Sequence, residues 1–115
     1  MKTTLAVIVP LLLLALLLAG SLAFGQDKGA GTAAKGKEVF ESNCSVCHNA
    51  DSTETKVGPG LKGLFKKAAL INKKKVTDAT VLEMINKGSD SGMPPYADML
   101  TAAEKADVIA YLKTL

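Results

Sequence analysis

The stretch Cys44-Ser45-Val46-Cys47-His48 decides the reading of this chain. Two thiols three positions apart fall on neighbouring faces of one helical turn, and an imidazole follows the second directly. That spacing suits the two thioethers of a c-type haem and sets the histidine under the iron as its proximal ligand. Other uses of two cysteines fit less well. A thiol–disulfide centre sits beside a βαβ pattern, which this sequence lacks. A structural zinc site closes with four Cys or His ligands, and the whole chain holds two cysteines and one histidine. A plain surface disulfide would leave His48 unexplained. Haem attachment uses all three residues at once, and haem brings one-electron chemistry.

Upstream of the motif the chain reads as a leader and a tether. Lys2 supplies a positive start, Leu5 to Ala19 is an almost pure Leu/Ala/Val run broken by Pro10, and Ser21-Leu22-Ala23 offers small residues at signal-peptidase spacing. Residues 1–23 are therefore expected to be a signal peptide. The run is short of the about 20 apolar residues of a spanning helix. An uncleaved anchor is the alternative, because the apolar character continues to Phe24. Residues 24–31, small and polar from Gly25 onward, read as a flexible linker, and 32–115 as one domain. Export predicts a periplasmic protein; a retained leader would hold it on the outer face of the inner membrane.

A domain this short buries little apolar surface and often needs a covalent or metal staple. A large apolar haem would be that staple, in keeping with the absence of tryptophan. Removing Lys2 from the 14 basic residues leaves 13 lysines against 11 acids, and there is no arginine. Lys62, Lys66, Lys67, Lys73, Lys74 and Lys75 lie in a stretch with no acidic residue between Lys56 and Thr77. Such a patch either steers the protein toward an acidic docking surface or merely solvates a loop. The lack of arginine and of interleaved aromatics argues against nucleic acid.

Three helices are legible: Ala33 to Asn43 with Thr32 as N-cap, Asp78 to Lys87 capped by Thr77 or Asp78 and ended by Gly88, and Ala102 to the C-terminus. Gly36, Val39 and Phe40 share a face of the first; Val81, Leu82 and Ile85 turn inward on the second. Thr101 and Glu104 stand at capping-box spacing before the third, whose stripe is Val108, Ile109, Tyr111, Leu112 and Leu115. A short helical turn is expected around Leu61 to Lys67. No alternating pattern suggests a strand, so the fold class is all-α.

With no second histidine, a methionine thioether is the best candidate for the sixth ligand. Met84 sits mid-helix, where filling the core is the better role. Met99, just before the last helix, is expected to pack as an apolar filler. Met93 lies in Gly92-Met93-Pro94-Pro95-Tyr96, where the prolines enforce an extended, stiff segment that can aim a side chain. Gly58-Pro59-Gly60-Leu61 reads most simply as a turn, although a carbonyl near His48 could accept its second ring N–H.

The order of these pieces, a GxxxF helix at 36–40, CSVCH, GPGLKGLF at 58–65, GMPPY at 92–96 and VIAYL at 108–112, resembles the small monohaem class I cytochromes c of bacteria. The resemblance covers essentially all of residues 32–115. It implies three to four helices wrapped around one covalent haem c, thioethers at Cys44 and Cys47, and His48 and Met93 as axial ligands. It also makes the Pro59 carbonyl the acceptor for His48, and has Gly36 and Phe40 cross the last helix near Tyr111. Residues 66–76 are longer and richer in lysine than in the shortest members.

The expected function is that of an exported monomeric one-electron carrier between respiratory or photosynthetic partners, with no enzymatic chemistry. Membrane contact would come only through those partners or an uncleaved leader. The alternatives are a haem-based gas sensor with a labile sixth ligand, or the subunit through which electrons reach a membrane oxidase or dehydrogenase.

Overall fold

In the computed structural model, which describes residues 31–115, helix α1 spans Ala33–Asn43, α2 spans Asp78–Lys87 and α3 spans Ala102–Leu112. A 3-10 turn at Leu64–Lys66 lies between α1 and α2. The expected leader and all but the last residue of the linker lie outside the described residues. Among the described residues there is no strand, only an isolated antiparallel bridge between Ala69 and Lys75. The fold is all-α, as the sequence predicts.

Local capping explains where α2 and α3 begin. The Thr77 hydroxyl accepts the Thr80 N–H at 3.2 Å, and the Thr80 hydroxyl accepts the Thr77 N–H at 3.0 Å. Thr101 and Glu104 exchange the same pair of bonds at 3.2 and 2.8 Å, satisfying donors a helix start leaves unpaired. The bond from the Thr101 N–H, with a second from its hydroxyl, holds the Glu104 carboxyl below its usual range. Gly88 closes α2 with φ +69°, a left-handed conformation that glycine adopts without Cβ strain.

Two ends differ from expectation. Thr32 occupies the N-cap position of α1, yet its side chain caps nothing there. Its hydroxyl turns instead to Asp107 Oδ1 across the helix crossing, at 3.4 Å, and its N–H donates to the same carboxylate oxygen at 2.6 Å. Helix α3 stops at Leu112 rather than reaching the C-terminus. There the Thr114 N–H and hydroxyl both bond back to the Tyr111 carbonyl, at 2.8 and 2.6 Å, tightening the last turn.

Helices α1 and α3 cross at Gly36. A Cβ on Gly36 would lie 1.9 Å from the Asp107 carbonyl oxygen and 2.8 Å from Tyr111 Cβ, so only hydrogen fits. One turn on, Phe40 meets Tyr111 with ring centroids 5.5 Å apart and planes at 59°, within the favoured range for tilted aromatic pairs. Phe40, Leu64, Val81, Ile85, Leu100, Val108, Ile109 and Leu112 form the buried core. Val39, Leu82, Tyr111 and Leu115, expected to face inward, are half-buried at its margin.

Glu83 on α2 lies between Lys74 at 2.6 Å and Lys87 at 2.9 Å. Hydrogen bonds from both ammonium groups, with their charge, hold its carboxyl at about 2 against an ordinary 4.5. A carboxylate lowered on folding stabilises the fold above its unfolded pKa, and that contribution disappears as pH falls through the folded value. Urea unfolding between pH 6 and pH 2 should therefore show stability declining from about 4.5 toward about 2. The change should be modest because the group is exposed. Glu83→Gln should flatten part of that decline, and an unchanged pH profile in this variant would refute the assignment.

Candidate haem site

The end of α1 delivers the CSVCH motif. The Cys44 and Ser45 N–H groups donate to the Phe40 carbonyl at 2.8 and 3.0 Å, and the His48 N–H to the Cys44 carbonyl at 2.9 Å. These bonds carry the chain through one further helix-like turn, placing both cysteines and the histidine on a rigid extension of α1.

The loop at 56–61 is stitched onto that turn. The Gly58 N–H donates to the Cys47 carbonyl and the Leu61 N–H to the Asn49 carbonyl, both at 2.7 Å. Between them, His48 Nδ1 lies 2.8 Å from the Pro59 carbonyl oxygen. A carbonyl can only accept, so Nδ1 carries the hydrogen and Nε2 presents its lone pair, the arrangement a metal-ligating histidine needs. Gly58 makes room for this: a Cβ there would sit 2.5 Å from His48 Cε1.

Met93 is set by the turn after α2. The Ser89 N–H donates to the Met93 carbonyl at 3.0 Å, and the Met93 N–H to Ser89 Oγ at 3.3 Å. A Cβ on Gly88 would fall 2.2 Å from the Met93 carbonyl oxygen, and Gly92 has φ +117°, so both glycines are required for the path.

Cys44, Cys47, His48, Pro59 and Met93 line one cavity of about 550 Å³. Its walls are apolar, from Phe40, Leu64, Val81, Ile85, Leu100 and Val108, and its size is that of a cofactor pocket. Paired thiols, an imidazole with a free Nε2 and a thioether in an apolar cradle form a donor set that fits haem c. Burial, reinforced by charge at Cys47, pushes the Cys44 thiol up to about 11, so an unlinked Cys44 keeps its proton at neutral pH and resists oxidation.

Several lining residues carry no clear signal in the sequence. Met84, expected to fill the core, lies outside the core cluster and faces the cavity from α2, whereas Met99 is 63% exposed and does not pack as the expected filler. It lies in the turn at 97–99, just before the buried anchor Leu100, and is turned outward. Lys67 brings an ammonium group to the cavity wall, and Val57 and Ile71 line the cavity while 76% and 67% exposed, which places them at its mouth. Tyr96 also lines it, and its hydroxyl donates to the Asn43 carbonyl at 2.9 Å. Burial first, then the two cysteines, raise the Tyr96 phenol, keeping it protonated as a donor.

A family model described as cytochrome c oxidase, cbb3-type, subunit III matches residues 31–112. Cytochrome c 2.1 of Caenorhabditis elegans is 34% identical over 102 residues, covering 76% of this chain and 92% of the relative. Cytochrome c6 of a Picosynechococcus strain is 33% identical over 98 residues, covering 83% of each chain. The solved structure of cytochrome c6 from the diatom Phaeodactylum tricornutum shares the fold with a TM-score of 0.59 at 22% identity, over 73% of this chain and 93% of that one.

Proposed function

This chain belongs to the cytochrome c family, carries one covalently bound haem c and passes electrons rather than converting a substrate; on that premise we propose that it is an exported, monomeric shuttle whose haem is held by Cys44, Cys47, His48 and Met93. The observation that carries this reading is the single apolar cavity into which both thiols, the free Nε2 of His48 and the Met93 loop converge. Haem supplies the one-electron couple. The protein's part is to hold the ring in an apolar medium and fix the His48 orientation through Pro59. The Met93 thioether then raises the potential relative to an open or histidine-filled site.

The mouth of the cavity suggests how partners approach. Val57 and Ile71 form an exposed apolar rim. Lys62, Lys66, Lys73 and Lys75 are exposed nearby in sequence and make no ion pair among the described residues, whereas Lys74 is held by Glu83. An apolar centre with surrounding cations favours brief docking on an acidic redox protein, steered by charge and weakened by salt. Periplasmic release after residue 23 completes the proposal. No described helix is long and apolar enough to cross a membrane.

A visible spectrum of the matured protein tests the ligand set. A low-spin spectrum with the weak far-red sulfur-to-iron band, unresponsive to carbon monoxide, is the expected result. A high-spin spectrum that shifts on adding carbon monoxide would sink the His48/Met93 assignment and favour a gas sensor. The description of the matched family model favours a second reading, a haem subunit of a membrane oxidase; stable co-purification with membranes would select it.

A further inference from the structure

Tyr96 joins the two segments that supply the proposed axial ligands. Its N–H donates to the Ile85 carbonyl of α2 at 2.9 Å. Its hydroxyl donates to the Asn43 carbonyl, also at 2.9 Å and 53 positions upstream. Asn43 is the last residue of α1 and immediately precedes Cys44. A helix leaves its final carbonyls without internal partners, and the tyrosine supplies one of them with a donor from a distant loop.

The other hydrogen bonds of the Met93 loop do not reach that far. Those at Ser89, Gly92 and Met93 tie the loop to itself, and the Tyr96 N–H ties it to α2. Among the hydrogen bonds of the described residues, the Tyr96 hydroxyl alone connects segment 88–96 to residues 43–48.

We propose that Tyr96 is a positioning residue whose hydroxyl latches the Met93 loop against the haem-bearing turn and so sets how often the sixth ligand leaves the iron. The proposal rests on the His48/Met93 ligation above. A thioether is a single, soft donor, so its occupancy depends on how firmly its loop is held. With the latch cut, the loop keeps its bonds to α2 and loses its tie to α1. The ring still fills the cavity wall in Tyr96→Phe, so packing is preserved and only the bond is removed.

Imidazole titration of the haem-loaded protein tests this, following the far-red band as Met93 is displaced. An external ligand binds only the open fraction, so its apparent affinity rises in proportion to that fraction. Losing one net hydrogen bond should raise the open fraction, and hence imidazole affinity, about fivefold in Tyr96→Phe. Thr101→Ala is the control: it breaks the α3 capping box and lowers overall stability without touching the loop, so its imidazole affinity should match the parent. The latch is refuted if Tyr96→Phe binds imidazole no tighter than the parent, or if Thr101→Ala shows the same gain. A parent protein lacking the far-red band would overturn the Met93 ligation itself, and the latch with it.

Discussion

Replacing Met93 with alanine should abolish the far-red sulfur-to-iron band, produce a high-spin spectrum and take carbon monoxide binding from undetectable to stoichiometric. The midpoint potential should fall, since the thioether favours the reduced iron. Met84→Leu is the discriminating partner, because Met84 also lines the cavity. Leucine conserves its volume and costs under about 1.5 kcal/mol, so this variant should keep the band and refuse carbon monoxide. The two methionines differ in backbone. Met84 is committed to α2, and its side chain follows the helix. Met93 rides on a turn whose path is set by Gly88, Gly92 and two prolines, and its direction is independent of any helix. The opposite result, with the band lost in Met84→Leu and kept in Met93→Ala, would reassign the ligand.

Gly36→Val should destabilise the domain by about 3 kcal/mol or more, a large part of the roughly 5–15 kcal/mol that holds a small domain together. The obstacle at Gly36 is backbone: the Asp107 carbonyl oxygen stands 1.9 Å from where a Cβ would be. A side-chain clash can relax by a rotamer change, whereas this one requires α1 and α3 to separate. Separation would also pull Phe40 from Tyr111 and the Thr32 N–H from Asp107. Denaturant unfolding of the haem-loaded variant measures the loss. A change within about 0.5 kcal/mol, the usual effect of a surface substitution, would show that the crossing has slack this structure does not contain.

What could be read from the sequence is what depends on neighbours in the chain. CSVCH is five contiguous residues whose chemistry is legible without a fold. The Thr101–Glu104 box and the Gly88 stop are short-range bonds between side chain and backbone, so α2 and the start of α3 stand where their sequences put them. The discrepancies arise where a distant group competes. Thr32 turns its hydroxyl to Asp107 instead of capping α1 with it. The Pro59 carbonyl has no side-chain signature, because every residue carries one, and only the family resemblance singled it out. That Met84 faces the cavity and Met99 faces water depends on which way each segment turns against α1 and α3. Tyr96 is visible as a residue of GMPPY, but its partner lies 53 positions away and is a backbone atom.

The bond between Thr32 and Asp107 closes a loop of 75 residues, and this has a consequence in time. Bringing such distant ends together costs about 4 kcal/mol of chain entropy beyond a fixed initial term, offset only when the whole α1–α3 contact forms. Until α1 and α3 meet, the CSVCH turn stays uncovered, and a chain exported before it folds would reach its destination in that open state. During that interval Cys44 lacks the burial that holds its proton so firmly in the finished domain. Attachment chemistry then has two accessible thiols to work on, Cys44 without the burial that raises its pKa, and closure afterwards shields the finished linkage.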